Sequence, residues 1–348
     1  MGIESLLENG ATFTQFLQAN FPSLKLAMQA IHTLTQPEIC FLLFIAIYWA
    51  INRDKGATYL YLFGLVLAIF SILSHLLEFP AHFWFDNRFF QIETRSFSAP
   101  NLNTAIALLL LYPFKRFIRT DLTLPTFLFV SLIAAVSQIY LGVASATDTF
   151  LGLLFGTTLI LVWQAWNKRY GKRFSERILG QRFWAAIFFP ALLGIFYLTL
   201  TNWAQTGQIE DASGFEQQLN WQAAHANALS ALVILGGIGI GIAVESARVG
   251  FQPNKTSSSV ITNWIIGFSV LAGTLYLFRT FFPIETLSQT RGVLSYISIA
   301  LKYTTSSIVI TYILPWIFTL IGTATAEAAT VPEISLNNFS VSRQKSSI

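Results

Sequence analysis

The chain has 348 residues, of which 54% are hydrophobic and only 11% are charged. Soluble domains carry roughly 25% charged residues, so this composition excludes a soluble enzyme or binding module and indicates a membrane protein. The net charge of +4 reflects basic residues placed beside apolar runs, and we do not interpret it as a nucleic-acid-binding surface.

The chain begins with a segment at residues 1–36 that predicts an interfacial amphipathic helix. Within it, residues 12–34 mix apolar and polar side chains at helical spacing and are too polar to span a bilayer. Nine apolar runs follow, each near the length of a transmembrane helix. They cover residues 37–52, 57–79, 101–117, 124–142, 148–166, 182–203, 222–246, 260–282 and 293–322. Residues 323–348 are polar and rich in Ser and Thr, and they predict a disordered cytoplasmic tail. The predicted fold class is therefore all-α, a polytopic transmembrane bundle.

The charges of the loops predict the topology. Most of the 21 Lys and Arg residues fall in alternate loops and in the C-terminal tail, whereas the intervening loops carry most of the acidic residues. Because basic loops stay in the cytoplasm, this alternation predicts an integral multi-pass protein with its N-terminus outside and its C-terminus inside.

Three short polar segments fall at predicted helix ends on the outer face. The first, "SHLLEFPAHFW", begins at Ser74. The second, "SFSAPNLNTA", contains Ser98-Ala99-Pro100-Asn101. The third, "SQIYLGVASATDTFLG", occupies residues 137–152. Polar loops that converge at one mouth of a helical bundle are where a membrane enzyme builds its site.

In order and spacing, these segments resemble the three signatures of the type 2 phosphatidic acid phosphatase (lipid phosphate phosphatase) superfamily, K-x6-R-P, P-S-G-H and S-R-x5-H-x3-D. The resemblance covers residues 37–166 well and continues weakly near Glu245. It implies a phosphatidic acid phosphatase-like transmembrane core at residues 37–203, followed by additional transmembrane helices at residues 204–322.

Most of the residues to which the resemblance assigns catalysis are replaced. The degenerate positions are Ser74, Ala81, Ala99, Asn101, Gln138 and Ala144, whereas Asp148 is retained. In the family, the position of Ala144 carries the nucleophilic His, and loss of a covalent nucleophile can cost on the order of a million-fold in rate. We therefore expect a catalytically inactive pseudoenzyme without cofactor. Its cavity is expected to bind a membrane lipid of the phospholipid or polyprenyl type, or the protein is expected to bind a membrane protein partner as a scaffold or regulator.

Two alternatives stay open. His75, Glu78 and His82 follow each other at i, i+3 and i+7, so they could ligate a metal or serve as interfacial polar residues at a helix end. Together with Arg88 and Asp148, they could form the rebuilt site of an active lipid phosphate or diphosphate phosphatase. The other alternative is a transporter of a lipid or small solute.

Further residues have structural interpretations. The spacing Gly237-x3-Gly241 predicts close helix packing. His225 and Asn227 are expected to form interhelical hydrogen bonds or to anchor the helix at the interface. Lys302 is expected to reach the outer surface along its own helix.

Overall fold

The structure is a computed structural model that describes residues 3–79, 97–117, 120–204, 221–281 and 293–326. These segments are almost entirely helical. In chain order the helices are α1 Ile3–Asn20, α2 Lys25–Leu34, α3 Pro37–Ala50, α4 Arg53–Leu77, α5 Leu102–Leu111, α6 Thr120–Tyr140, α7 Ala146–Trp166, α8 Lys172–Ser175, α9 Leu179–Ala204, α10 Trp221–Arg248, α11 Ser257–Phe281, α12 Val293–Ile308 and α13 Leu314–Leu320. The strands are β1 Phe251–Pro253 and β2 Ala324–Ala326.

Each of the nine predicted apolar runs coincides with a helix or a helix pair. Among the described residues, 6 helices are long and apolar enough to cross a membrane. A seventh span results if the bent pair Pro22–Leu34 and Pro37–Ala50, which meet at 52°, counts as one. Two shorter apolar helices, Leu102–Phe114 and Pro125–Tyr140, complete the bundle. The predicted all-α polytopic fold is confirmed.

The N-terminal segment differs from the single interfacial helix predicted for it. A 3₁₀ turn at Pro22–Leu24 separates α1 from α2, because proline has no backbone N–H to continue the first helix. Both helices pack against α6, and this contact accounts for their buried polar side chains. The proposed division of the chain into domains stays a prediction.

Helix α10 lies at the centre of the bundle and contacts α4, α9 and α12. Its glycines allow this close approach, because a Cβ atom added at Gly237 would lie 2.7 Å from Ser307 Cβ. An added Cβ at Gly241 would collide with Thr311 Oγ1. The predicted close packing at this glycine pair is confirmed.

The C-terminal span contains one π-helical turn, Val309–Ile313, between α12 and α13. A π turn displaces backbone carbonyls from their usual helical partners. Here Trp49 Nε1 donates to the carbonyl of Ile310 at 2.8 Å, and the Tyr48 hydroxyl donates to the carbonyl of Thr311 at 2.9 Å. These bonds join the C-terminal helices to α3.

The end of the bundle that contains the α3–α4 connection is closed by a buried ion pair. Glu245 on α10 is fully buried and accepts hydrogen bonds from Arg53 Nε at 2.9 Å and from the backbone N–H of Phe251 at 2.8 Å. Phe251 begins β1, which pairs antiparallel with β2. Residues 324–326, at the beginning of the predicted disordered tail, are therefore ordered by strand pairing, and the residues after 326 lie outside the described part of the chain.

Candidate functional site

A cavity of about 810 Å³ opens at the opposite end of the bundle. Its walls come from α4, α5, α10 and α12, with further contributions from α2, α3 and α11. On α10 and α12 the lining residues recur every three to four positions, as one face of a helix requires. They are Asn227, Ser230, Ala231 and Ile234 on α10, and Lys302, Tyr303, Ser306 and Ser307 on α12, and the face continues at Ile310 in the π turn.

The lining of the cavity differs between its walls. On α4, Ser74 and His75 lie near the helix end at the mouth, whereas Phe70, Leu67 and Phe63 follow towards the bundle centre. On α12, Ser306 and Ser307 line the cavity at this same depth. Ser307 packs against Gly237 of α10, and Gly64 of α4 packs against the nearby Leu235. The cavity thus has a polar mouth and, deeper in the bundle, an apolar wall on α4 and a polar wall on α12.

The second signature segment forms one edge of the mouth. Asn101 is the N-cap of α5, and its Oδ1 accepts hydrogen bonds from the backbone N–H and the hydroxyl of Thr104, each at 2.9 Å. Ser74, at the position of the family lysine, donates to the carbonyl of Phe97 at 3.1 Å. Ala99 is completely buried. These side chains hold the loop in place.

The third signature segment lies directly behind this edge. The backbone N–H of Asn101 donates to the carbonyl of Asp148 at 3.0 Å, which joins the two segments. Asp148 Oδ2 accepts from the backbone N–H of Ser145 at 2.8 Å, and Ser145 Oγ accepts from that of Asp148 at 3.0 Å. This reciprocal pair is a capping box for α7. The retained carboxylate therefore caps a helix, and Ala144, buried beside it, offers no imidazole for it to orient.

Gln138, at the position of a family arginine, is fully buried. Its Oε1 lies 3.0 Å from His32 Nδ1 and accepts from Asn103 Nδ2 at 3.2 Å. His32 belongs to α2, and its Nε2 lies 2.8 Å from Gln36 Nε2. The N-terminal helix thus contributes an imidazole where the resemblance places an anion-binding cation.

Further bonds fix the N-terminal helices over the end of α6. Thr14 donates to the carbonyl of Ile139 at 2.9 Å, and Gln18 donates to that of Tyr140 at 2.7 Å. Ser137, the retained serine of the third signature, donates to the carbonyl of Met28 at 2.7 Å. This segment therefore covers the back of the site.

A chain of three polar aromatic residues borders the mouth. The Tyr197 hydroxyl lies 2.5 Å from His75 Nδ1 and 2.6 Å from His225 Nδ1. Because a hydroxyl donates one hydrogen bond and accepts others, one neutral imidazole donates to it and the other accepts from it. Phe97 stacks on the other side of His75 at a centroid distance of 5.8 Å. The interhelical hydrogen bond predicted for His225 is confirmed, and Asn227 lines the cavity.

Glu78, one of the proposed metal ligands, does not continue the helix face of His75. Helix α4 ends at Leu77, and Glu78 adopts a left-handed conformation with φ 53°. Partial burial raises the pKa of Glu78, whereas His75 faces Tyr197. In the described part of the chain no group of three or more His, Cys, Asp or Glu side chains could hold a metal. His82, Ala81 and Arg88 lie outside the described residues.

Lys302 borders the cavity on the α12 side, and its expected reach to the outer surface stays a prediction. Lys302 is half-buried and lines the cavity, with Nζ 5.1 Å from the centroid of the Tyr303 ring. A charged group near the membrane interior is stable where it borders a polar cavity. The mouth therefore contains one lysine ammonium group.

The C-terminal half of this site matches a known family. Residues 229–326 match the family model described as "PAP2 superfamily phosphatase, transmembrane extension". Residues 229–326 are therefore similar to the transmembrane extension of the PAP2 superfamily phosphatases. The predicted relationship to the type 2 phosphatidic acid phosphatase superfamily is thus confirmed. No curated protein and no solved structure matches the chain.

This matched segment supplies part of the cavity wall. It begins within α10 and ends at β2. It therefore contains the lining residues of α10 from Ser230 onwards and those of α11 and α12. The three signature segments lie before it in the chain. The cavity therefore forms between the signature-bearing helices and the extension.

The sequence alone did not identify several residues that line the cavity, among them Asn103, Tyr303 and Ser306. Their signal was present as polar residues at i, i+3 and i+4 spacing within an apolar helix, as in Lys302-Tyr303 and Ser306-Ser307. His32 and Tyr197 gave no such signal, because their partners are 106 and 122 residues away in the chain.

Proposed function

We propose that this protein is a catalytically silent member of the PAP2 superfamily that binds a membrane lipid in its cavity. The observation that carries the proposal is a cavity of about 810 Å³ that combines an apolar wall on α4 with a polar mouth and a polar wall on α12. A lipid is the ligand class that has a polar and an apolar end, and pockets of roughly 300–1,000 Å³ hold ligands of this size.

The side chains at the signature positions support the absence of turnover. Ala144 has no nucleophilic atom, and Asn101 uses its Oδ1 to cap α5. The Asp148 carboxylate is engaged by the backbone of Ser145. Phosphoryl transfer depends on positioning and on electrostatic stabilisation of the phosphoryl oxygens, and neither the nucleophile nor the cations that the family uses are present at the described positions.

An active hydrolase is a second candidate, because His75 borders the mouth and is hydrogen-bonded to Tyr197. A histidine positioned by a second polar group is a common general base. This candidate needs a phosphate clamp, for which Arg88 and Arg95 are the basic residues of the loop between α4 and α5.

Transport would require a polar path through the bundle. Beneath the cavity, the described core instead contains fully buried apolar side chains such as Phe44, Leu60, Ile106 and Leu235. At the far end Glu245 is bonded to Arg53. This arrangement favours a cavity that is open at one end only.

The loop charges support an orientation with the N-terminus outside and the C-terminus in the cytoplasm. Arg53, Arg182 and Arg248 lie at the end of the bundle opposite the cavity, so the cavity would open towards the outer leaflet. A lipid of the outer leaflet would then enter between the helices, and a membrane protein partner would bind the lipid-bound form of the protein.

Turnover is tested with purified protein in lipid nanodiscs. Phosphatidic acid, lysophosphatidic acid and polyprenyl diphosphate are supplied in turn, and released phosphate is measured against empty nanodiscs. We expect no release above this blank. Release that His75→Ala abolishes, in a variant that keeps its elution profile, would establish the hydrolase instead.

Lipid binding is tested by filling the cavity. Ala231 is buried and lines the cavity, whereas Leu192 is 65% exposed on the outer face of α9. We expect Ala231→Phe to remove a lipid that co-purifies at a 1:1 ratio, measured by native mass spectrometry, and Leu192→Phe to retain it. Equal retention by both variants would show that the lipid is bound elsewhere.

A further inference from the structure

The polar groups that line the cavity are mostly uncharged. Asn103 and Asn227 contribute carboxamides, and Tyr303, Ser306 and Ser307 contribute hydroxyls from a single face of α12. Carboxamides and hydroxyls both donate and accept hydrogen bonds. They therefore complement a ligand whose own polar groups both donate and accept, as the hydroxyls of a sugar do.

The formal charges of the described lining balance each other. Among the lining residues, Lys302 is the cation and Glu38 the anion at neutral pH, with histidines neutral. A phosphomonoester carries about −1.5 to −2 charges at pH 7, and its three oxygens accept hydrogen bonds without donating any. One lysine opposed by one carboxylate does not compensate this charge.

The buried hydroxyl of Ser306 also indicates that the cavity holds a ligand. Hydroxyls in these helices usually bond the carbonyl one turn earlier, as Ser230 does to Ala226 at 2.6 Å and Thr311 does to Ser307 at 2.6 Å. Ser306 is 6% exposed, lines the cavity, and its Oγ makes no hydrogen bond to any residue that the structure describes. Because a buried hydroxyl without a partner is costly, this atom is suited to bond a ligand.

We infer that the cavity selects a lipid with an uncharged polyhydroxyl headgroup, which is the chemistry of a glycolipid, over a lipid phosphomonoester. The inference rests on the proposed lipid-binding function. The sugar lies against the polar α12 wall and bonds Ser306 Oγ, and the acyl chains lie against the apolar α4 wall formed by Phe63 and Leu67.

The test uses the full-length protein and three lipids with identical acyl chains: monohexosyl diacylglycerol, diacylglycerol and phosphatidic acid. The delipidated protein receives an equimolar mixture, and native mass spectrometry measures which lipid stays bound. We expect the hexosyl lipid to be retained at least tenfold over phosphatidic acid and over diacylglycerol.

Two serine variants make the test specific. Ser306→Ala is expected to reduce the preference for the hexosyl lipid over diacylglycerol about fivefold. Ser230→Ala, which lines the same cavity but loses a hydroxyl already bonded within its own helix, is expected to keep the preference. Both variants are checked for the wild-type elution profile.

The outcomes separate this inference from the proposed function. Retention of phosphatidic acid equal to or above that of the hexosyl lipid overturns the inference while lipid binding stands. Equal retention of diacylglycerol overturns it as well, because the headgroup would then not be recognised. Retention of none of the three lipids overturns both the inference and the proposed function.

Discussion

The ion pair between Arg53 and Glu245 gives a sharp test of the energetics of the bundle, because Arg53 contacts two acidic residues of different exposure. The side chain of Glu245 is 0% exposed, whereas that of Asp54, 3.2 Å from Arg53 Nη1, is 79% exposed. Replacing Glu245 by Gln removes a buried charge, and replacing Asp54 by Asn removes a solvated one.

The magnitude of the Glu245→Gln effect follows from its partners. Glu245 Oε1 accepts from the backbone N–H of Phe251 at 2.8 Å, and both its oxygens accept from Arg53 Nε at 3.1 and 2.9 Å. A glutamine keeps one accepting oxygen but leaves a guanidinium that is 14% exposed with only the solvent-exposed Asp54 as its counter-charge. Breaking a buried ion pair in this way costs about 3–5 kcal/mol, whereas an exposed pair contributes about 0–1 kcal/mol.

The assay is the free energy of unfolding, measured by titration with denaturing detergent and followed by tryptophan fluorescence. We expect a loss of about 3–5 kcal/mol for Glu245→Gln and of less than about 1 kcal/mol for Asp54→Asn. If Asp54→Asn lowers the free energy of unfolding as much as Glu245→Gln does, the buried Arg53–Glu245 pair is not what stabilises this end of the bundle.

Two further predictions concern helix packing and capping. Gly237→Leu should destabilise the fold, because even its Cβ would lie 2.7 Å from Ser307 Cβ. Gly273→Ala, where an added Cβ meets no atom within 4 Å, should be neutral or stabilise the fold by up to about 1 kcal/mol. Thermal unfolding compares the two variants, and an equal loss of stability would contradict the packing. Asp148→Ala, which removes the acceptor of the Ser145 N–H, should cost roughly 0.5–2 kcal/mol, measured in the same assay; unchanged stability would contradict the capping role.

The helices were predictable from the sequence because membrane-spanning segments are recognised by their length and their apolar composition. The close packing at Gly237 and Gly241 was predictable for a related reason, since two small residues one turn apart produce a flat helix face whatever the partner. Both properties are local in the chain, so one sequence suffices to find them.

The site was only partly predictable, because its side chains meet across the bundle. Asp148 keeps the family residue type but acts as a cap, and the sequence does not show that its carboxylate is engaged by Ser145. Lys302 was expected at the surface, since nothing near it in the chain indicates a cavity. The other walls of that cavity come from α4, α5 and α10, which lie far away in sequence.

An experimental map of the protein in lipid nanodiscs, obtained by electron cryomicroscopy, tests the central claim most directly. We predict density for a two-chain lipid inside the bundle, with its headgroup against Ser306 on α12 and its chains against Phe63 and Leu67 on α4. A bundle in which the segments around Asn101 and Ala144 lie apart, or in which the space between α4, α10 and α12 is closed, would contradict the account.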